Sequence, residues 1–187
     1  NPDERSAQIT DQTGAALESK KGTKPHISDA FNFYPYWVLY DKATGKLSCG
    51  HGIDDPASPI IETVLKNKPE LTKFGFSNPE NSPTYFKKIG SYAPTDPGLK
   101  KKYADIFLKQ TYTSASNTPV PAYSWDDVWK LASPDMSVIS FKTRTSGAAQ
   151  IALGNKTDGA IYEISISGSL LAIYKNKQLV ASSIDKM

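Results

Sequence analysis

The chain has 187 residues, of which 39% are hydrophobic and 22% charged, and its net charge is +3. These values predict one folded domain with a core of its own and exclude a disordered chain. No apolar run approaches the roughly 20 residues that a membrane helix needs, so we expect no membrane span. The single cysteine excludes an internal disulfide, and two histidines argue against a His-rich metal site.

Residues 1–30 are polar, and Ile9, Leu17 and Ile27 are their only large apolar side chains. Such a segment predicts an N-terminal arm, either flexible or packed onto the body, with a short helix near residues 14–20. The remaining residues, 31–187, are then expected to form one domain.

Residues 31–40 hold six aromatic side chains in ten, which favours a strand. A polar loop ending at Gly45 and a returning segment at 47–52 complete a predicted hairpin. Alternation puts Tyr34 and Tyr36 on one face and Trp37 on the other. One face must belong to the core. The tyrosine-rich face is either an exposed binding platform or buried as well.

The middle of the chain predicts strands at residues 60–65, 71–77 and 85–92. Residues 99–110 place Tyr103, Ile106 and Phe107 at helical spacing, although strand plus loop fits equally well. In the last third, residues 136–145 and 160–166 alternate with period two and predict strands, and further strands are predicted at 148–153, 170–174 and 178–182. Short strands with turns between them indicate an all-β fold, a two-sheet sandwich of jelly-roll or lectin-like type with a polar N-terminal arm.

Two groups of motifs run through these strands. Residues 140–168 contain F-K-T-R, A-Q-I-A-L and Y-E-I-S-I-S-G, and residues 36–52 and 74–77 supply an aromatic-Trp strand, a Gly turn, G-H-G and G-F-S. Together they resemble the farnesoic acid O-methyltransferase-like domain, a lectin-like β-sandwich, over about half of the chain. The family's second half comes first here, which suggests a circular permutation or a chain cut from a tandem array. Residues 167–170 depart from the family's Trp and small-residue pair. The resemblance does not imply methyl transfer, and no strand-then-G-x-G-x-x-G fingerprint is present, so we expect no cofactor.

Cys49 and His51 lie two apart on a predicted strand and share a face, as a thiol and its activating imidazole could. No third, orienting residue accompanies them, which favours a packed thiol. His51 with Asp54 and Asp55 could ligate a metal, but a solvated turn explains the aspartates, so we expect no metal.

Asp126 and Asp127 lie between Trp125 and Trp129. An indole face packs on the apolar side of a sugar ring, and a carboxylate accepts hydrogen bonds from its hydroxyls. The same residues could instead anchor the edge of the core, with the aspartates beginning a short helix. Adjacent carboxylates do not define the separated pair that glycoside hydrolysis needs.

Basic residues are spread along the chain, and Lys100-Lys101-Lys102, expected in a solvated turn or helix end, is the only tight run. We therefore expect no nucleic-acid partner. The sequence favours a secreted, non-enzymatic recognition module that binds a glycan or glycosylated partner through Tyr34, Tyr36, Trp125, Asp126 and Trp129. The glycosylation triplet at Asn155 adds slight support for secretion. The alternative is an assembly protein that forms a homo-oligomer through its arm or by strand exchange.

Overall fold

The computed structural model is all-β, and two antiparallel sheets pack face to face as a β-sandwich. It describes residues 6–10, 16–21, 29–52, 56, 58–78, 83–103, 105–108, 129–155, 159–168 and 170–184. Within these ranges no helix occurs, so none is long and apolar enough to cross a membrane. The predicted two-sheet sandwich is confirmed.

The strands follow one another along the chain as β1 (Ser6–Thr10), β2 (Ala16–Lys21), β3 (Tyr34–Asp41), β4 (Lys46–His51), β5 (Ile61–Val64), β6 (Lys73–Ser77), β7 (Thr84–Ala93), β8 (Asp96–Lys102), β9 (Ile106–Leu108), β10 (Met136–Thr145), β11 (Ala148–Asn155), β12 (Gly159–Ser167), β13 (Leu170–Lys175) and β14 (Gln178–Ile184). One sheet has the order β2-β1-β14-β13-β12-β11-β6. The other has the order β5-β4-β3-β10-β7-β8, and β9 also pairs with β7.

Strands β3 and β10 form the centre of the second sheet although they lie far apart in the sequence. Tyr36 is opposite Phe141 in their antiparallel register, and the two rings stack with centroids 6.0 Å apart. The aromatic segment and the alternating last third of the chain therefore belong to one body.

The core lies between the sheets and is rich in aromatic rings. Phe76 of the first sheet meets Phe86 and Phe141 of the second, with ring centroids 4.4 and 5.8 Å apart. Side chains of this size each bury a large apolar area, and edge-to-face pairs add specific geometry. These contacts hold the two sheets together.

Two tight turns contain residues with a positive φ angle. Gly45 has a φ of 74°, and a Cβ built there would lie 2.7 Å from the carbonyl oxygen of Leu65. Asn176 and Lys177 have φ values of 47° and 67°, as in the two-residue turn that joins twisted hairpin strands. Both turns lie where the sequence predicts them.

The N-terminal arm contains strands rather than the expected short helix. Strand β1 pairs with β14 of the body and with β2, so the pair extends the edge of the first sheet. Edge hydrogen bonding explains how so polar a segment takes a regular structure.

In the segment 99–110, which left helix and strand open, residues 99–102 are the end of β8 and residues 106–108 form β9, while residues 104, 109 and 110 lie outside the described residues. The lysine run at 100–102 lies in β8, so its placement in a turn or helix end was wrong.

Candidate functional site: an aromatic and cationic surface

Two of the residues expected to bind a ligand are buried in the core. Tyr36 is fully buried, between Phe141 and His51, whose ring centroid lies 5.3 Å away. Trp129 is 4% exposed and stacks on Phe74 at an interplanar angle of 9°. Their expected exposure was wrong, because neither aromatic density nor alternation tells which face of a strand meets the second sheet.

The remaining expected site residues are less accessible than a binding platform requires or lie outside the described ranges. Tyr34 is half-buried, and its hydroxyl donates to Oδ2 of Asp29 at 2.8 Å. Trp125, Asp126 and Asp127 fall outside the described residues, as do Asp54 and Asp55.

A row of large side chains crosses the outer face of the second sheet instead. Tyr85 of β7 is directly opposite Arg144 of β10 on one side and Phe107 of β9 on the other. Their strand neighbours Phe86 and Thr143 are fully buried, so alternation directs Tyr85 and Arg144 away from the core. Phe107 is 55% exposed.

Phe33 and Lys87 complete this row, and we refer to Phe33, Tyr85, Lys87, Phe107 and Arg144 as the Tyr85 surface. Phe33 meets Tyr85 edge to face with centroids 5.4 Å apart, and Tyr85 lies 6.1 Å from Phe107. The ammonium of Lys87 is 3.6 Å from the ring centre of Phe33, and the guanidinium of Arg144 is 4.9 Å from it. Cation–π contacts of this kind hold the long side chains in place while their charges stay near water.

A β-bulge shapes strand β7 beside this surface. The β7–β10 register shifts between Ser140 and Lys142, and Lys88 has a φ of 53°. One extra residue in β7 lets Lys87 point outward while Ile89 returns to the core. Such bulges often re-aim side chains at binding sites.

Asp105 secures both the bulge and Tyr85. Its Oδ1 accepts a hydrogen bond from the backbone amide of Lys88 at 2.9 Å, and its Oδ2 accepts one from the hydroxyl of Tyr85 at 3.2 Å. Partial burial raises the pKa of Tyr85, and the bond to Asp105 raises it further. The phenol therefore stays protonated near neutral pH, with a carboxylate beside it that can accept from other hydroxyls.

A carboxylate-capped turn presents Phe33 to the surface. Asp29 Oδ1 accepts from the backbone amides of Phe31 and Asn32 at 2.7 and 2.6 Å. The amide of Thr145 donates to the carbonyl of Asp29 at 2.9 Å and ties the turn to the end of β10. The backbone amide of Asn32, the Tyr34 hydroxyl and the backbone amide of Phe31 donate to the carboxylate and lower the pKa of Asp29 to about 2.

The arrangement can bind but offers little for covalent chemistry. Cys49 is fully buried in the core, and burial raises the pKa of its thiol, so a thiolate is disfavoured. Among the described residues, no group of three His, Cys, Asp or Glu side chains could hold a metal ion. The Tyr85 surface combines apolar ring area, positive charge and a hydrogen-bonding carboxylate. These groups can bind a ligand by ring packing, charge and hydrogen bonds.

Sequence reasoning missed this surface because its members come from four separate segments. In β7, Tyr85 and Lys87 alternate with the buried Phe86. This alternation indicates that Tyr85 and Lys87 share the outward face of the strand, and it can be read from the sequence of β7 alone. Nothing in the sequence shows that β9 and β10 flank β7 or that a bulge follows Lys87.

Comparison with models of known protein families gives no match, and neither the comparison with curated proteins nor that with solved structures finds a match.

Proposed function

We propose that the protein is a recognition module that binds a glycan, free or on a glycosylated partner, through the Tyr85 surface. The observation that carries the proposal is the cross-strand row in which Arg144, Tyr85 and Phe107 lie directly opposite one another on the outer face of a rigid sheet. Residues opposite one another on neighbouring strands lie about 5 Å apart, so the row presents a continuous surface without any loop rearrangement.

The chemistry of the row suits a sugar. The exposed ring of Phe107 can pack against the apolar face of a pyranose. Asp105 lies at hydrogen-bond distance from Tyr85 and can accept from sugar hydroxyls, while Lys87 and Arg144 can donate to them. Secretion, where glycans on partners are accessible, is part of this proposal and has the slight sequence support of the Asn155 triplet.

The decisive experiment is a glycan array probed with the wild-type protein and with Phe107→Ser. Val64→Ser is the matched control, because Val64 is an exposed apolar residue of the same sheet, 63% exposed, in the edge strand β5. We expect Phe107→Ser to lose binding at least about fivefold, since a well-placed aromatic ring contributes more than about 1 kcal/mol at a recognition surface. The control should bind as the wild type does. An array on which the wild type binds no glycan contradicts the proposal.

A second candidate function is self-association through the arm. Strands β1 and β2 form the outer edge of the first sheet, and an edge pair can exchange between copies. Size measurement of the full chain and of a variant lacking residues 1–28 tests it. A fixed oligomer that the deletion converts to a monomer supports assembly, and a full chain that is already monomeric contradicts it.

A further inference from the structure

Basic side chains that are dispersed in the sequence come together on the outer face of the second sheet. Lys142 of β10 is directly opposite Lys87, one row along from Arg144 and Tyr85. Lys102 of β8 is opposite Gly90, and the ammonium of Lys100 lies 5.5 Å from the ring centre of Tyr92. The fold therefore produces a basic face that the sequence reasoning did not expect.

Among the described residues, none of these cations forms an ion pair with a carboxylate. Between residues that the structure describes, the one ion pair is Lys46–Glu62 at 3.3 Å, at the far edge of the same sheet. Asp105 is hydrogen-bonded to Tyr85 and to the backbone amide of Lys88. Within the described part of the chain, the positive charge of Lys87, Lys142 and Arg144 is therefore not engaged in an ion pair.

The pair of Lys142 and Lys87 is itself informative. Like charges directly opposite one another on neighbouring strands destabilise a sheet. A local conflict of this kind is typical of a functional site, where another requirement outweighs stability. An anionic group bound between the two ammonium groups would remove the repulsion.

The surface suits an acidic sugar chain better than a nucleic acid. Base stacking needs free faces on several rings. Here Lys87 covers a face of Phe33 and Lys100 lies over Tyr92, which leaves Phe107 as the exposed ring of the face. One exposed ring suffices to hold one sugar, and Asp105 can accept hydrogen bonds from its hydroxyls.

We infer that the ligand of the Tyr85 surface is a glycan bearing carboxylate or sulfate groups, with Lys87, Lys142 and Arg144 contacting the acidic groups and Phe107 packing on a sugar ring. The inference rests on the proposed function and adds the charge of the ligand to it.

The test compares dextran, carboxymethyl dextran and dextran sulfate, which share one backbone and differ in charge. We expect both acidic polymers to bind at least tenfold more tightly than dextran, with an affinity that falls as salt is raised. Equal binding to the neutral and acidic polymers overturns the inference but leaves glycan binding standing. Failure to bind any of the three polymers overturns the inference, while the glycan array separately decides the proposed function.

Two double variants of equal net charge sharpen the result. Lys87→Gln/Lys142→Gln removes two of the charges that the inference assigns to ligand contact, and Lys66→Gln/Lys177→Gln removes two charges from exposed turns elsewhere. We expect the first to weaken binding to dextran sulfate by roughly fivefold, as two exposed charge contacts would, and the second to leave it unchanged. Equal losses in the two variants overturn the inference, as does single-stranded DNA that competes at the same charge concentration as dextran sulfate.

Discussion

The indole of Trp37 lies directly on the backbone of Gly50, its register partner on β4. A Cβ at residue 50 would lie 2.2 Å from Cζ2 and 2.8 Å from Nε1 of the indole. Trp37 is fully buried on the face of β3 opposite the core tyrosines, and its Nε1 has no hydrogen-bond partner among the described residues. Gly50 is therefore required by close approach rather than by its backbone angles.

Gly50→Ala should destabilise the fold by about 2–3 kcal/mol, because the added methyl overlaps the indole. Trp37→Phe removes the ring atoms that clash and loses no hydrogen bond, so the double variant should be at least about 1 kcal/mol more stable than the sum of the single effects predicts. Urea denaturation of the four proteins measures this coupling. Gly90→Ala is the control, since its nearest contact would be a milder 3.2 Å. Additive single effects would show that the two residues do not meet.

The Asp29 turn should lose its contribution to stability in acid. The pKa of Asp29 is lowered from 3.8 to about 2 in the folded state, so the carboxylate stabilises the fold above pH 4 and this contribution disappears as the pH falls through about 2. Asp29→Asn should melt at a lower temperature than the wild type at pH 6, and the difference should shrink towards pH 2. A difference that stays constant with pH would exclude the charged carboxylate as its source.

Cys49 should be inert in the folded protein. The thiol is fully buried and burial raises its pKa, so both access and thiolate are lacking. A thiol reagent at pH 8 should label the native chain only at the rate of unfolding and label it at once in 6 M guanidinium. Rapid labelling of the native protein would place the residue at an accessible site and reopen the Cys–His hypothesis.

The β13–β14 turn offers a stabilising substitution. Lys177 adopts a φ of 67°, a conformation that costs an L-residue with a Cβ about 1 kcal/mol and glycine almost nothing. Lys177→Gly should therefore stabilise the protein by up to about 1 kcal/mol in thermal denaturation. Lys177→Ala, which keeps the Cβ, should give no gain. If the alanine variant gains as much as glycine, loss of the lysine charge and not backbone relief is the cause.

Strands β10 and β12 could be predicted from sequence because each alternates between a core face and a less buried face, whereas β11 is buried on both faces and shows no such alternation. In β10, buried Ile139 and Phe141 flank the less buried Ser140, and the observed strand begins and ends where the alternation does. The hairpin turns with Gly45 or Asn176 could also be predicted from the local sequence, because a positive φ favours glycine or asparagine at that position.

The candidate site could not be predicted because it depends on which strands are neighbours. Tyr36 looked like a surface residue, yet it faces Phe141 from a strand about a hundred residues away. The sequence around Phe107 left helix and strand open, since three apolar residues at short range fit either period, and pairing with Tyr85 decides for the strand. The basic face arises in the same way, from cations on three different strands.

The pairing of β3 with β10 also has a consequence for synthesis of the chain. When β3 leaves the ribosome, its partner β10 has not yet been synthesised. About a hundred residues separate the two strands, and they take roughly 5–20 s to translate. During that interval the most aromatic stretch of the polypeptide has an open hydrogen-bonding edge. Nascent chains should therefore depend on chaperone protection more than the finished sandwich does.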